Sequence, residues 1–238
     1  MVFSNTADKY GILEQVRTML RVDSTQWITA NVVNSCNNWL DKITGYAINA
    51  DRRFQWDDTN HSALPIGTTN LVLDQRDYSF LLDEQSNRIL NLTRIDVKDS
   101  AGLWKELKVI DHNEIGMALD EFEKTAGAPK YYDKIADNII RLYPKSSANV
   151  TAGLKFYFQR APSYFVVADT TKAPGVANLL HRGFVIASAY DGALTLGLEN
   201  LPALAAELLK EEEKMIEYFS TRNKDEHYRL TPKKQDNR

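Results

Sequence analysis

The property that most constrains this chain is a double change of hydrophobic period: apolar residues recur at helical spacing at both ends and at alternate positions through the middle. A chain with one period can close its core from one kind of element, whereas two switches call for helices and strands in separate layers or domains. At the N-terminal end, "TADKYGILEQVRTMLRV", from about Thr6 to Val22, sets Ile12, Val16, Met19 and Leu20 on one face, with Asp8 in the first turn, where the helix dipole favours an anion. The following stretch offers Asp23 or Ser24 as an N-cap and Trp27, Val32, Cys36, Trp39, Leu40 and Ile43 along one broad face. Two helices are predicted, the second longer.

After Ala50 the signals become those of strands and turns. "RRFQW" reads as extended and is followed by a polar turn before Pro65; "TTNLVL" and "DYSFLL" are β-prone runs separated by Asp74, Gln75 and Arg76, the spacing of a tight hairpin. "RILNLTRIDVKD" alternates through Leu90 and Leu92 and then slips phase to Ile95 and Val97, which predicts a bulge near Thr93 and Arg94. "DSAG" reads as a hairpin turn into "LWKELKV", with Leu103, Lys105, Leu107 and Val109 on one face. "HNEIGMALDEFEKTAG" predicts a short helix closed by Gly127 before Pro129. Strands resume in "YYDKIADNIIRLYP" and "AGLKFYFQRAP", the latter with Leu154, Phe156 and Phe158 inward and Lys155, Tyr157 and Gln159 outward. A tally of six or seven strands suits a small antiparallel sandwich or barrel.

From about Ala177 the period is helical again. Leu180, Phe184, Ala187, Tyr190 and Leu194 form a stripe stopped at Gly197, and Pro202 opens a further helix as an N1 proline, its stripe continuing through Leu204, Leu208, Met215 and Phe219. The expected fold is therefore α+β: a helical bundle of two N-terminal helices (1–51) and two C-terminal helices (171–221), an inserted antiparallel β-domain (52–170), and an extended C-terminal tail (222–238).

The 238 residues show little catalytic chemistry. Cys36 is the single cysteine and sits in a helix stripe, so it reads as core, with no intrachain disulfide and no thiolate cluster. His61, His112, His181 and His227 are scattered, with no i, i+4 ligand pair. Asp57 and Asp58 beside His61 could form an acid/base pair or a metal site, but Asp, Asn and Thr ahead of a proline are turn formers that bond local backbone. No glycine spacing cradles a phosphate. No enzyme, cofactor or metal is expected. A membrane span needs ~18 apolar residues in a row, which the sequence lacks, and its start has neither a basic nor an apolar leader region.

Charge is uneven. The net charge is −3, yet residues 222–238 carry six Lys/Arg against three Asp/Glu, leaving an acidic body with a basic end. Glu211, Glu212 and Glu213 read most simply as a solvated helix face, and the aromatic runs Tyr131-Tyr132 and Phe156-Tyr157-Phe158 as packing rather than base stacking.

Taken in order, "WDDTNHSALPIGTTNLVLDQRDYSFL", "ILNLTRIDVKDSAGLWKEL", "LYPKSSANVTAGLKFYFQRAPSYF" and "HRGFVIASAYDGA", between terminal helices, resemble the head-to-tail adaptor, or connector, proteins of tailed bacteriophages over nearly the whole chain. The resemblance implies a structural virion protein at the neck between capsid and tail, assembled in the host cytoplasm. Copies would form a ring, typically dodecameric, below the portal protein, and genomic DNA would pass through its lumen without sequence-specific binding. The C-terminal extension would dock into the portal, and only its basic, extended character carries over, to Arg222, Lys224, Tyr228, Arg229, Leu230, Lys233, Lys234 and Arg238. The β-domain would face the tail or nozzle protein through turns that include Asp57, Asp58, Asp74, Gln75 and Arg76, while Glu211, Glu212 and Glu213 would meet a neighbouring subunit or line the channel. A neck or tail-completion protein, or a nucleic-acid-binding module using the basic tail, is the alternative.

Overall fold

The computed structural model describes residues 1–50, 66–83, 86–99, 101–111 and 124–221. The fold is mixed α+β, with four α-helices and two four-stranded sheets among the described residues, and neither sheet closes into a barrel. The chain divides into two compact units, Met1–Arg52 with Phe165–Arg238, and Arg53–Tyr164. The extended reading of "RRFQW", the turn before Pro65, nearly all of the short helix expected before Gly127, and the C-terminal tail lie outside the described residues.

In the first unit, α1 spans Ile12–Leu20 and starts later than its sequence period suggests. The Phe3 and Ser4 amides bond the carbonyls of Lys172 and Thr170 (2.8 Å each), and the Val2 and Phe3 carbonyls accept the Ile12 and Leu13 amides (3.0 and 2.9 Å). Glu14, in the first turn, accepts from the Ser4 hydroxyl (2.6 Å) and the Asn5 amide (2.9 Å). The Val2 and Phe3 carbonyls satisfy two of the donors that a helix start leaves open, while Asp8 exchanges hydrogen bonds with Asn5 in a turn ahead of the helix. Phe3 is fully buried and stacks on Phe165, with ring centroids 5.1 Å apart.

The second helix, α2, spans Thr29–Ala50. The Asp23 carboxylate caps a separate turn by accepting the Thr25 and Gln26 amides (2.8 and 3.0 Å), so the expected cap belongs to the approach and not to the helix. The face read from the sequence holds: Val32, Cys36, Trp39, Leu40 and Ile43 are all buried.

A 3₁₀ turn at Asn178–Leu180 leads into α3, His181–Leu196. Its expected stripe is too narrow: the helix is buried on several sides and Leu194 is 57% exposed. The reason lies in its glycines. A Cβ on Gly183 would stand 2.7 Å from Trp39 Nε1, and one on Gly192 would stand 2.4 Å from Leu20 Cδ1. Those two positions fall on opposite sides of a helix turning 3.6 residues per turn. The absence of side chains there lets α2 press on one side and the end of α1 on the other. Gly197, at φ +65°, ends α3 as the sequence predicts. The last helix, α4 (Leu201–Thr221), has Pro202 in its first turn and buries Leu204, Glu211, Met215 and Phe219.

The second unit contains β1 (Ile66–Leu71), β2 (Asp77–Ser79), β3 (Ile89–Lys98), β4 (Trp104–Glu106), β5 (Lys108–Val109), β6 (Tyr131–Ala136), β7 (Ile139–Tyr143) and β8 (Val150–Arg160). One sheet runs β1-β8-β3-β4 and the other β2-β7-β6-β5. All pairs are antiparallel except β5 with β6. Leu71, Ile95, Val97, Leu154, Phe156 and Phe158 from the first sheet share one hydrophobic cluster with Tyr78, Ile140 and Leu142 from the second.

Two pairings differ from the sequence reading. Asp74, Gln75 and Arg76 do not close a hairpin; β1 pairs with β8 and β2 with β7, so this turn carries the chain from one sheet to the other. Likewise "LWKELKV" is two strands in different sheets, with Leu107 buried at the crossing and Leu103 and Val109 exposed. Both crossings follow from the shared core, which a local alternation pattern cannot specify. The "DSAG" hairpin does form: Gly102 adopts φ +81°, and Asp99 Oδ1 accepts the Ala101 and Leu103 amides at 2.9 Å each. The β3 bulge lies between Leu92 and Arg94 as expected, and a second between Ile89 and Asn91 leaves Leu90 exposed. Gln159, expected to face outward, is buried, as is Arg160, whose Nη1 lies 3.2 Å from the Asp83 carboxylate.

Candidate functional site

One end of the β unit gathers the turn after β1 and the loop before β8. The turn is held by several independent bonds. Asp74 adopts φ +61° and donates its amide to the Ser146 carbonyl (2.9 Å), while Lys145 Nζ lies 2.5 Å from the Asp74 carboxylate. Asn149 Oδ1 accepts the Leu73 amide (2.8 Å), and the Tyr78 hydroxyl accepts the Val72 amide (3.0 Å). Gln75 closes the turn with its amide on the Val72 carbonyl (3.2 Å) and its side-chain nitrogen on the Asp77 carbonyl (2.9 Å), and the Arg76 carbonyl accepts the Leu142 amide (2.9 Å). A loop fixed this way presents Val72 and Leu73 to solvent at little further entropic cost on binding.

Next to β2, Arg141 donates to both oxygens of Asp77 (2.8 and 3.0 Å), which holds that carboxyl below the usual carboxylate range. Asp99 is likewise held low, first by the Leu103 amide and then by Lys105 (3.0 Å). Neither group is tuned toward neutral pH, as a general acid or base would be.

Beside the same turn lies a cleft of about 290 Å³. Leu71, Val97, Val150 and Pro129 give it apolar walls; Gly127, Ala128 and Ser146 to Ala148 give it small ones; Lys98, Lys105 and Lys130 reach its border. The Gly127 amide bonds the Lys145 carbonyl (2.8 Å), the Ser147 amide bonds the Gly127 carbonyl (3.1 Å), and Ser146 Oγ donates to the Ala148 carbonyl (2.7 Å). Sequence reasoning singled out Asp74, Gln75 and Arg76 but missed Val72, Leu73 and the 145–149 loop. The run of small polar residues in "PKSSAN" is the signal that marks the loop, but nothing local ties it to residues 72–76.

The other predicted positions fall as follows. Asp57, Asp58 and His61, and all of Arg222, Lys224, Tyr228, Arg229, Leu230, Lys233, Lys234 and Arg238, lie outside the described residues. The glutamate run is not one solvated face: Glu211 is 8% exposed and bonds Lys214 (3.3 Å) with Arg182 at 3.8 Å, Glu212 pairs with Lys42 of α2, and Glu213 alone is exposed. Cys36 is fully buried, which raises its thiol pKa far above the ordinary value, with the charge of Asp191 acting in the same direction; it is chemically quiet core. His181 is buried, donates Nε2–H to the Val176 carbonyl (2.9 Å) and accepts at Nδ1 from the Met1 amine (3.0 Å).

Among the described residues no group of His, Cys, Asp and Glu could hold a metal ion, and no helix is long and apolar enough to cross a membrane. No protein-family model and no curated protein matches the chain.

Proposed function

We propose that this chain is a structural virion protein, a head-to-tail adaptor that forms a ring between portal and tail and surrounds the DNA channel. The observation that carries the reading is the division of labour along the chain: both ends build one helical unit, while the uninterrupted middle builds a separate β unit with a rigid, partly apolar end. That division suits an assembly protein in which one unit packs against its own copies and the other docks on the next layer. In finer terms, the helices form a bundle, the two sheets form a sandwich, and the ring is dodecameric.

Exposed Leu209 and Ile216 on α4 lie one heptad apart and off the buried stripe, a disposition suited to a helix of a neighbouring copy. The basic tail, six Lys/Arg against three Asp/Glu, orders on an acidic surface of the portal, so its folding is coupled to docking and assembly is templated by the partner.

Light scattering of the chain mixed with the portal protein of the same genome, full-length and ending at Thr221, tests this reading. A large complex is expected only with the full-length chain; separate species in both mixtures contradict it. The same tail charge favours one second reading, nucleic-acid binding, which predicts an affinity for DNA that falls steeply with salt and needs no portal.

A further inference from the structure

We infer that the cleft at the end of the β unit receives an apolar side chain from an acidic segment of the protein docked there. The inference rests on the docking role proposed for the β unit and names the chemistry of its partner. The cleft, of about 290 Å³, opens at the surface onto core residues Leu71 and Val97 and so offers apolar area that a partner can cover. The cleft stays open because its walls end in small residues, Gly127, Ala128 and Ala148, on loops whose backbones are tied to one another. Those ties, with Pro129 buried at the wall, keep the loops from collapsing inward.

Size decides what fits. Pockets for cofactors and drug-sized ligands run from ~300 to 1,000 Å³, so this cleft sits at the lower limit and suits one or two large side chains. Charge decides what flanks them. Among the described residues of the lining, Lys98, Lys105 and Lys130 stand against Asp99, which accepts two backbone amides and pairs with Lys105, so the described border stays net positive. An apolar anchor between carboxylates therefore matches both floor and border, and electrostatic complementarity of this kind raises the association rate and fixes register.

The probe is a fluorescein-labelled hexapeptide with a central leucine-phenylalanine pair between acidic residues, read by anisotropy against the full-length chain. Saturable binding with a dissociation constant on the order of 100 μM is expected. Ala148→Trp fills the cleft from an exposed position, and Lys130→Glu reverses its border. Each should weaken binding by roughly tenfold, as loss of a central anchor does, with the thermal midpoint unchanged. Replacing the peptide's apolar pair by serines should abolish binding, and exchanging its acids for lysines should do the same.

No binding of the acidic peptide, or binding that ignores both variants, overturns the inference. Portal mixing on the same samples separates it from the adaptor reading. Chain that joins the portal but ignores the peptide loses only the cleft assignment. Chain that binds the peptide and joins no virion protein keeps the cleft and loses the adaptor.

Discussion

In the helical unit the residues that end up buried mostly follow from the period of their own helix, whereas in the β unit Leu103 and Val109 are exposed and Gln159 is buried, each against its local alternation. Helices make their backbone bonds within themselves, so their partners need only match in shape: Trp39 against Gly183, Leu20 against Gly192. Strands must find partners far along the chain, and β8 serves both β1 and β3 across most of that unit. The helical unit should therefore fail by loss of fit at a few close approaches, and the β unit by loss of its shared core or its buried pairs.

The largest effect should come from Gly183→Leu, which drives a side chain into the Trp39 ring, itself 5% exposed. Overpacking of this kind costs about 3 kcal/mol or more. Hydrogen exchange should show protection lost in α1 to α4 while β3 and β8 keep theirs; equal loss in both would break the comparison. The mirror experiment is Ile140→Ala, at a position with no exposure in the cluster shared by the two sheets. A cost of about 3 kcal/mol is expected, confined to the β unit.

Arg160→Met probes the buried pair with Asp83, whose side chains are 5% and 8% exposed. Leaving that carboxylate without its guanidinium should cost about 3 kcal/mol, and adding Asp83→Asn should recover part of the loss. Chemical denaturation of the single and double variants measures the coupling, and additive losses would show that the pair does not act as a unit.

Ala152→Gly should work in the opposite direction. Ala152 holds φ +48° in β8, beside the irregularity opposite Thr69 and Leu71, and a non-glycine residue there carries a left-handed penalty of about 1 kcal/mol. A small rise in the midpoint of the β unit is expected; a fall would mean that the bulge depends on the methyl group.

The smallest effect is the pH dependence of Asp77. Its folded pKa is lowered, first by the hydrogen bonds from Arg141, so its contribution to stability is present above the ordinary carboxylate pKa and is lost as pH falls through the depressed folded value. The β unit of the parent chain should lose more stability than that of Asp77→Asn only below about pH 4, which parallel acid titrations of the thermal midpoint would show.

How much was legible in the sequence divides along the same line. Cys36, Trp39 and Met215 fall in the core because the helix period alone places them there, and Gly197 ends α3 because a helix stop needs the left-handed turn. The bulge in β3 was legible from a phase slip, and the turn at Gly102 from its residues. The pairings of β1 with β8 and β2 with β7 were not, because Asp74 to Arg76 look the same locally whether the chain doubles back or crosses to another sheet. Glu211 was misread for a related reason: three glutamates in a row look solvated, yet the first shares the stripe of Leu204 and Met215 and is held there by Lys214 and Arg182. The proposed docking end was half visible, since its turn residues announce themselves and the loop that fixes them does not.

The proposed adaptor role requires that a tailed phage encode the chain, and cross-linking mass spectrometry on purified virions of such a phage tests it most directly. The account predicts cross-links from Lys224, Lys233 and Lys234 to the portal protein, together with links between copies of the chain itself. Virions that contain the portal but none of this chain, or that link its C-terminal lysines only to DNA-associated proteins inside the capsid, would contradict it.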